Sequence, residues 1–188
     1  MKTINNKQLA ISKWCSPSGF CLLLIVNCAL LVACNNGQKP FEKRIDKIFK
    51  GPVFRDLTIG DSYNKVLKTE NKDYMQFPDS NIIKYMYHVS DTEEYHWAYI
   101  FEEDKIKEIQ FDAYLGEEKD GEKYVTILQK RYDKIWGKSA NLNGIISWQK
   151  DRVSADLINE SPIVLMGKVK FLIYQTGDSI FKKYVPEL

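Results

Sequence analysis

His88 and His96 are the two histidines of the 188-residue chain, and Asp91, Glu93 and Glu94 lie between them. Imidazole nitrogen and carboxylate oxygen together form the donor set of many zinc and copper sites. Residues 82–89 and 95–101 alternate in polarity as strands do, with Ser90 to Glu94 as a five-residue turn. Pairing Val89 with Tyr95 sets the two rings face to face across the hairpin, with β-carbons about 4.5–5.5 Å apart. Two imidazoles beside carboxylates on a turn fall short of a ligand set, so no metal and no cofactor is expected. Further carboxylate pairs, Glu102-Glu103 and Glu117-Glu118, also fall in turn sequences. A glycosidase needs two carboxyls held about a cleft. No Gly-x-Ser-x-Gly, phosphate loop or dinucleotide fingerprint occurs. No catalytic residue is assigned, and the chain does not read as an enzyme.

The remaining reactive group is the thiol of Cys34. Lys2, Lys7 and Lys13 precede an apolar run from Phe20 to Val32, and Leu31-Val32-Ala33-Cys34 closes it. A basic start, a short apolar middle and a small residue before the cut make a secretory signal peptide. The four closing residues resemble the lipobox of bacterial lipoproteins, which implies cleavage before Cys34 and acylation of that residue, with palmitate-type chains as the membrane anchor. This 13-residue run, interrupted by Asn27, is too short to span a bilayer, which takes about 20 apolar residues. Residues 1–33 are therefore read as signal peptide, 34–39 as a short tether, and 40–188 as a single domain.

Removal of the leader changes the electrostatics. It holds three of the 27 basic residues and no acid, which leaves 24 basic against 25 acidic residues in the mature chain. That balance gives no reason to expect nucleic acid as a partner. All four cysteines, Cys15, Cys21, Cys28 and Cys34, precede the domain. The domain can form no disulfide and depends on its core. Its 22 aromatic residues suit a β-rich core.

Phe41, Ile45, Ile48 and Phe49 fall on one helical face, ended by Gly51-Pro52. After Leu57-Thr58-Ile59-Gly60, Asp61 is expected to cap a helix running to about Glu70. In the hairpin register above, Tyr87 meets Trp97, Tyr85 meets Tyr99 and Ile83 meets Phe101, a ladder of core-facing rings. A third strand over 105–114 puts Ile106 on that face but Ile109, Phe111 and Ala113 on the other, unless a bulge shifts the register. Residues 120–137 read as the longest helix, with Gly137 as its C-terminal cap. Strands are expected over 145–149, 152–159 and 163–176. Ile180, Phe181, Tyr184 and Val185 then form a last helix or cover a core edge. The fold class is α+β, helices on an antiparallel sheet, with two loosely repeated helix-plus-three-strand units over 40–118 and 119–188. Met86, His88, His96 and Phe111 are the candidate partner surface, opposite the aromatic ladder.

The lipobox leader, a helix, Ile59-Gly60-Asp61-Ser62-Tyr63-Asn64-Lys65-Val66 and a Tyr/Trp-rich hairpin together resemble the small SmpA/OmlA outer-membrane lipoproteins. The resemblance covers about residues 57 to 111 and rests on Gly60 and Val66. The hairpin turn here is Glu103-Asp104, where that family tends to have Asn-Gly. It implies helices set against an antiparallel sheet, as in the related β-lactamase-inhibitor-protein repeat, and a role in protein binding.

The expected function is a non-catalytic, lipid-anchored envelope protein that binds another envelope protein as an assembly accessory. Asn35 after the lipidated cysteine favours the outer membrane in a cell with two membranes. An inhibitor or immunity-type lipoprotein is the first alternative. A glycan-binding one, stacking sugars on exposed Trp97, Trp136 or Trp148, is the second.

Overall fold

The computed structural model describes residues 38–164 and 166–176. The leader, Cys34, the start of the tether and the apolar segment 180–185 lie outside the described residues. The chain divides into two units, Met1–Lys43 and Arg44–Leu188. The first contributes only the opening of helix α1 to the described residues, and the packing set out below is that of the second. Among the described residues no helix is long and apolar enough to cross a membrane.

One antiparallel sheet of eight strands forms the frame, in the order β1-β2-β3-β4-β8-β7-β6-β5. The strands are β1 (Met75–Pro78), β2 (Ile82–Ser90), β3 (Glu93–Glu102), β4 (Lys105–Leu115), β5 (Ala140–Leu142), β6 (Ile145–Lys150), β7 (Val153–Asn159) and β8 (Gly167–Gln175). The helices are α1 (Gln38–Ile48), α2 (Tyr63–Thr69), α3 (Glu118–Trp136) and the single turn α4 (Ser161–Val164). This is the α+β class that runs of consecutive antiparallel strands, set between helices, imply.

Strand periodicity decides which residues enter the core. Tyr95, Trp97, Tyr99 and Phe101 alternate along β3, and all four are buried. They meet Ile83 and Tyr85 of β2 on one side and Ile106, Ile109, Phe111 and Ala113 of β4 on the other. Phe49, just after α1, sits at the middle of the helix layer. Its ring packs edge-on against Phe54, Phe111, Tyr124, Tyr132 and Phe171, with centroids 4.7–6.3 Å apart. Tyr124, Leu128 and Tyr132 form the buried row of α3, so this helix and Phe49 cover the same aromatic face.

Several expectations change in detail. In the β2–β3 hairpin Tyr85 pairs with Trp97, Tyr87 with Tyr95 and Ile83 with Tyr99. The register is displaced by two residues, which preserves every side chain's face but alters its partner. The strands run on to Ser90 and Glu93, with Asp91-Thr92 between them and a bulge at Val89. On β4 a bulge at Lys107 lies between the pairs Phe101–Ile106 and Ile100–Glu108. It brings Ile106 and Phe111 onto the same face, so Phe111 is fully buried against Phe49 and leaves the candidate surface. The cap of α2 is Ser62, whose hydroxyl accepts from the Lys65 amide. Asp61 instead accepts from the Thr58 amide and pairs with Lys65. Gly137 does end α3, at φ +95°. The strand expected over 163–176 begins at Gly167, because α4 occupies the start of that segment.

Phe49→Ala is expected to destabilise the fold by about 3–5 kcal/mol, the range for removing a buried ring from a packed core. Leu142→Ala, at a site 71% exposed, should stay within about 0.5 kcal/mol of the parent. Urea denaturation of both variants checks this, and equal midpoints would refute the central place given to Phe49.

Candidate functional site

The parity that sends rings of β3 into the core sends Glu94, His96 and Ala98 to the opposite face, the one without described helices. His88 lies opposite Glu94 in the hairpin register, and His96 opposite Met86 and Asp112. The two imidazoles therefore do not face each other as the earlier register had them. They converge on one carboxylate. Nδ1 of His88 lies 2.7 Å from Oε2 of Glu94, and Nε2 of His96 contacts Oε1 of the same residue. His88 is the most open of the three at 68% side-chain exposure, and Glu94 the least at 26%.

These residues line an open cleft of about 700 Å³, completed by the hairpin tip from Val89 to Glu93, by Tyr114 and by Met166. The tip is held in place by close packing. A β-carbon on Gly116 would lie 3.2 Å from Cβ of Thr92, so a larger residue there would need Thr92 to give by a few tenths of an ångström. The imidazole of His96 lies against the Tyr114 ring, centroids 5.1 Å apart. The Lys168 ammonium sits 5.5 Å from the centre of the Tyr114 ring.

Charged groups around the cleft are mostly neutralised by one another. Arg44 pairs with Glu93 at 3.1 Å, and the Tyr95 hydroxyl donates to the same carboxylate. Burial and this bond to Glu93 push the Tyr95 phenol far above its ordinary range. Lys168 and Lys170 reach Glu160 at 2.7 and 3.4 Å. Burial alone would raise the Glu160 carboxyl, but the two ammonium groups outweigh it and hold it below the usual range. Asp112, beside His96, is pushed up by burial, which Lys170 and Lys168 only partly offset. Asp91 is exposed and forms no ion pair among the described residues.

A second polar unit braces the far end of β3 and faces the core. Arg55 Nε donates to both oxygens of Glu70, at 2.7 and 2.9 Å, and the buried Tyr99 hydroxyl donates to Oε1. The Arg55 guanidinium lies 4.8 Å from the centre of the Trp97 ring. With the Glu70 side chain fully buried, this unit ties the loop before α2 to the sheet.

Of the residues proposed from sequence, His88 and His96 share the cleft. Met86 lies on the same face next to His96, and Phe111 is in the core. Trp97 and Trp148 are 3% exposed and belong to the core as well. Glu94 appears in the sequence reading only as one of three turn carboxylates beside the histidines, and Tyr114 and Met166 do not figure in it. The His88–Glu94 pairing needs both the two-residue turn and the bulge at Val89, since the turn alone would set His88 opposite Tyr95. Among the described residues no group of three or more His, Cys, Asp or Glu side chains is arranged to hold a metal ion. Compared with known protein families, with curated proteins and with solved structures, the chain has no match.

The ion pairs of Glu160 give a pH signature. A carboxylate held below its unfolded value, about 4.3, contributes stability above that value and loses it as pH falls through the folded one. Glu160→Gln should therefore cost about 1 kcal/mol at pH 7, with the difference from the parent closing below about pH 4. Urea midpoints at the two pH values measure it, and a difference independent of pH would show that the ion pairs contribute nothing.

Proposed function

We propose that this chain is a non-catalytic, lipid-anchored protein of the bacterial envelope that binds another envelope protein, as an assembly accessory. Acylated Cys34 is the anchor in this reading, and the outer membrane is its location where the cell has two membranes. The observation that carries it is the one-sided layering: the described helices cover the aromatic face, and the opposite face presents the cleft between the hairpin tip and Tyr114. The six-residue tether from residue 34 to 39 supports it too, since it reaches at most about 20 Å and keeps the domain at its membrane. So does the resemblance of residues 57 to 111 to the SmpA/OmlA lipoproteins.

The halves 40–118 and 119–188 are read as loosely repeated units. Each supplies four consecutive antiparallel strands, and the last strand of each, β4 and β8, meet at the middle of the sheet.

Crosslinking in native membranes tests the function. Affinity capture of the full chain is expected to recover one stoichiometric envelope protein, absent from a Cys34→Ala control. A folded, well-expressed sample that captures no envelope protein would count against the reading. Capture of a soluble enzyme or toxin would favour the inhibitor alternative.

A further inference from the structure

We infer that the cleft receives an arginine side chain presented by an exposed segment of the protein partner. This rests on the proposed function and names the chemistry of its binding face. Asp91, Glu93 and Glu94 line the cleft, and none of its described lining residues is Lys or Arg. Glu93 is already matched by Arg44 and Tyr95. The cations of the neighbouring strand, Lys168 and Lys170, are matched by Glu160. Negative charge remains at Asp91, which has no ion pair among the described residues, and at Glu94, whose neighbours His88 and His96 are charged only when protonated. The complement is a cation.

Size and lining decide which cation. About 700 Å³ is room for a long side chain with its neighbours and far exceeds a bare ion. Among the described residues no group of three or more His, Cys, Asp or Glu side chains is arranged to hold a metal ion. The rings of His96 and Tyr114, centroids 5.1 Å apart and tilted by 57°, both line the cleft. A planar guanidinium can stack on one such ring while its fork engages a carboxylate, which a lysine ammonium does less well. Met166, 39% exposed, and the exposed Ile163 and Val164 before it supply apolar contact for the rest of the segment.

The test uses the full chain with its lipid in detergent micelles. The probes are fluorescein-labelled hexa-arginine, labelled hexa-glutamate and Zn²⁺ alone. Hexa-arginine is expected to bind saturably and to shift the His88 and His96 ring signals in NMR spectra. The folded variant Asp91→Asn/Glu94→Gln should bind it about tenfold more weakly, from the loss of two charge-assisted contacts. Glu102→Gln/Asp104→Asn, at the opposite end of β3, should bind as the parent does. Equal affinity in the two variants overturns the inference, as does hexa-glutamate binding as tightly as hexa-arginine. Ring signals that respond to stoichiometric Zn²⁺ and not to hexa-arginine overturn it in favour of a metal site. A crosslinked envelope partner still captured by Asp91→Asn/Glu94→Gln overturns this inference and leaves the proposed function standing. Absence of any captured partner sinks that function, while the hexa-arginine titration still decides the chemistry of the cleft.

Discussion

Burial of a single aromatic face governs the structure. Tyr95, Trp97, Tyr99 and Phe101 follow one another at period two on β3 and all enter the core. Rings of this size dominate the energetics of a domain without disulfides. Once they are committed to the helix side, the residues between them have no choice of face. Glu94 and His96 must emerge on the other surface, beside whatever β2 and β4 offer there. The cleft is therefore a consequence of core packing, and a one-residue slip in the hairpin would destroy both together. The bulge at Lys107 serves the same constraint, since without it Phe111 would be turned out of the core and Phe49 would lose a central neighbour.

Polar groups are fitted to this frame in two similar units. Near the hairpin tip, Arg44, Glu93 and Tyr95 connect; at the other end, Arg55, Glu70 and Tyr99 do. In each a phenol reaching out of the aromatic layer donates to a carboxylate that an arginine neutralises. Such units let large tyrosines fill a core without stranding their hydroxyls. Each unit also takes one carboxylate, Glu93 or Glu70, out of a ligand's reach. Asp91 and Glu94 remain at the cleft, on the face that no described helix covers.

Much of this frame was legible in the sequence. Alternation along residues 82–101 gave the correct faces, and the row Tyr124, Leu128, Tyr132 with Gly137 gave α3 and its end. Register was not legible, because a shift of two residues leaves the alternation pattern intact. The two-residue turn at Asp91-Thr92 and the bulges at Val89 and Lys107 are choices of backbone geometry that leave little trace in residue type. The short edge strands β1 and β5 went unread for a related reason: four and three residues carry too little periodicity to register. The cleft suffered most from these losses. His88 and His96 were found because histidine is rare here, whereas Glu94, one carboxylate among many, acquires its place only from the register.

The account stands on the face without described helices being covered by a partner in the envelope. Residues 35–188 contain no cysteine, so a single introduced thiol reports on one position. Met166→Cys in the cleft and Lys130→Cys on the outer side of α3 can each be labelled with a maleimide, in native membranes and after purification in detergent. The account predicts that position 166 is protected in the membrane and becomes reactive on purification, while position 130 reacts equally in both. Equal reactivity of position 166 in the two preparations would contradict it.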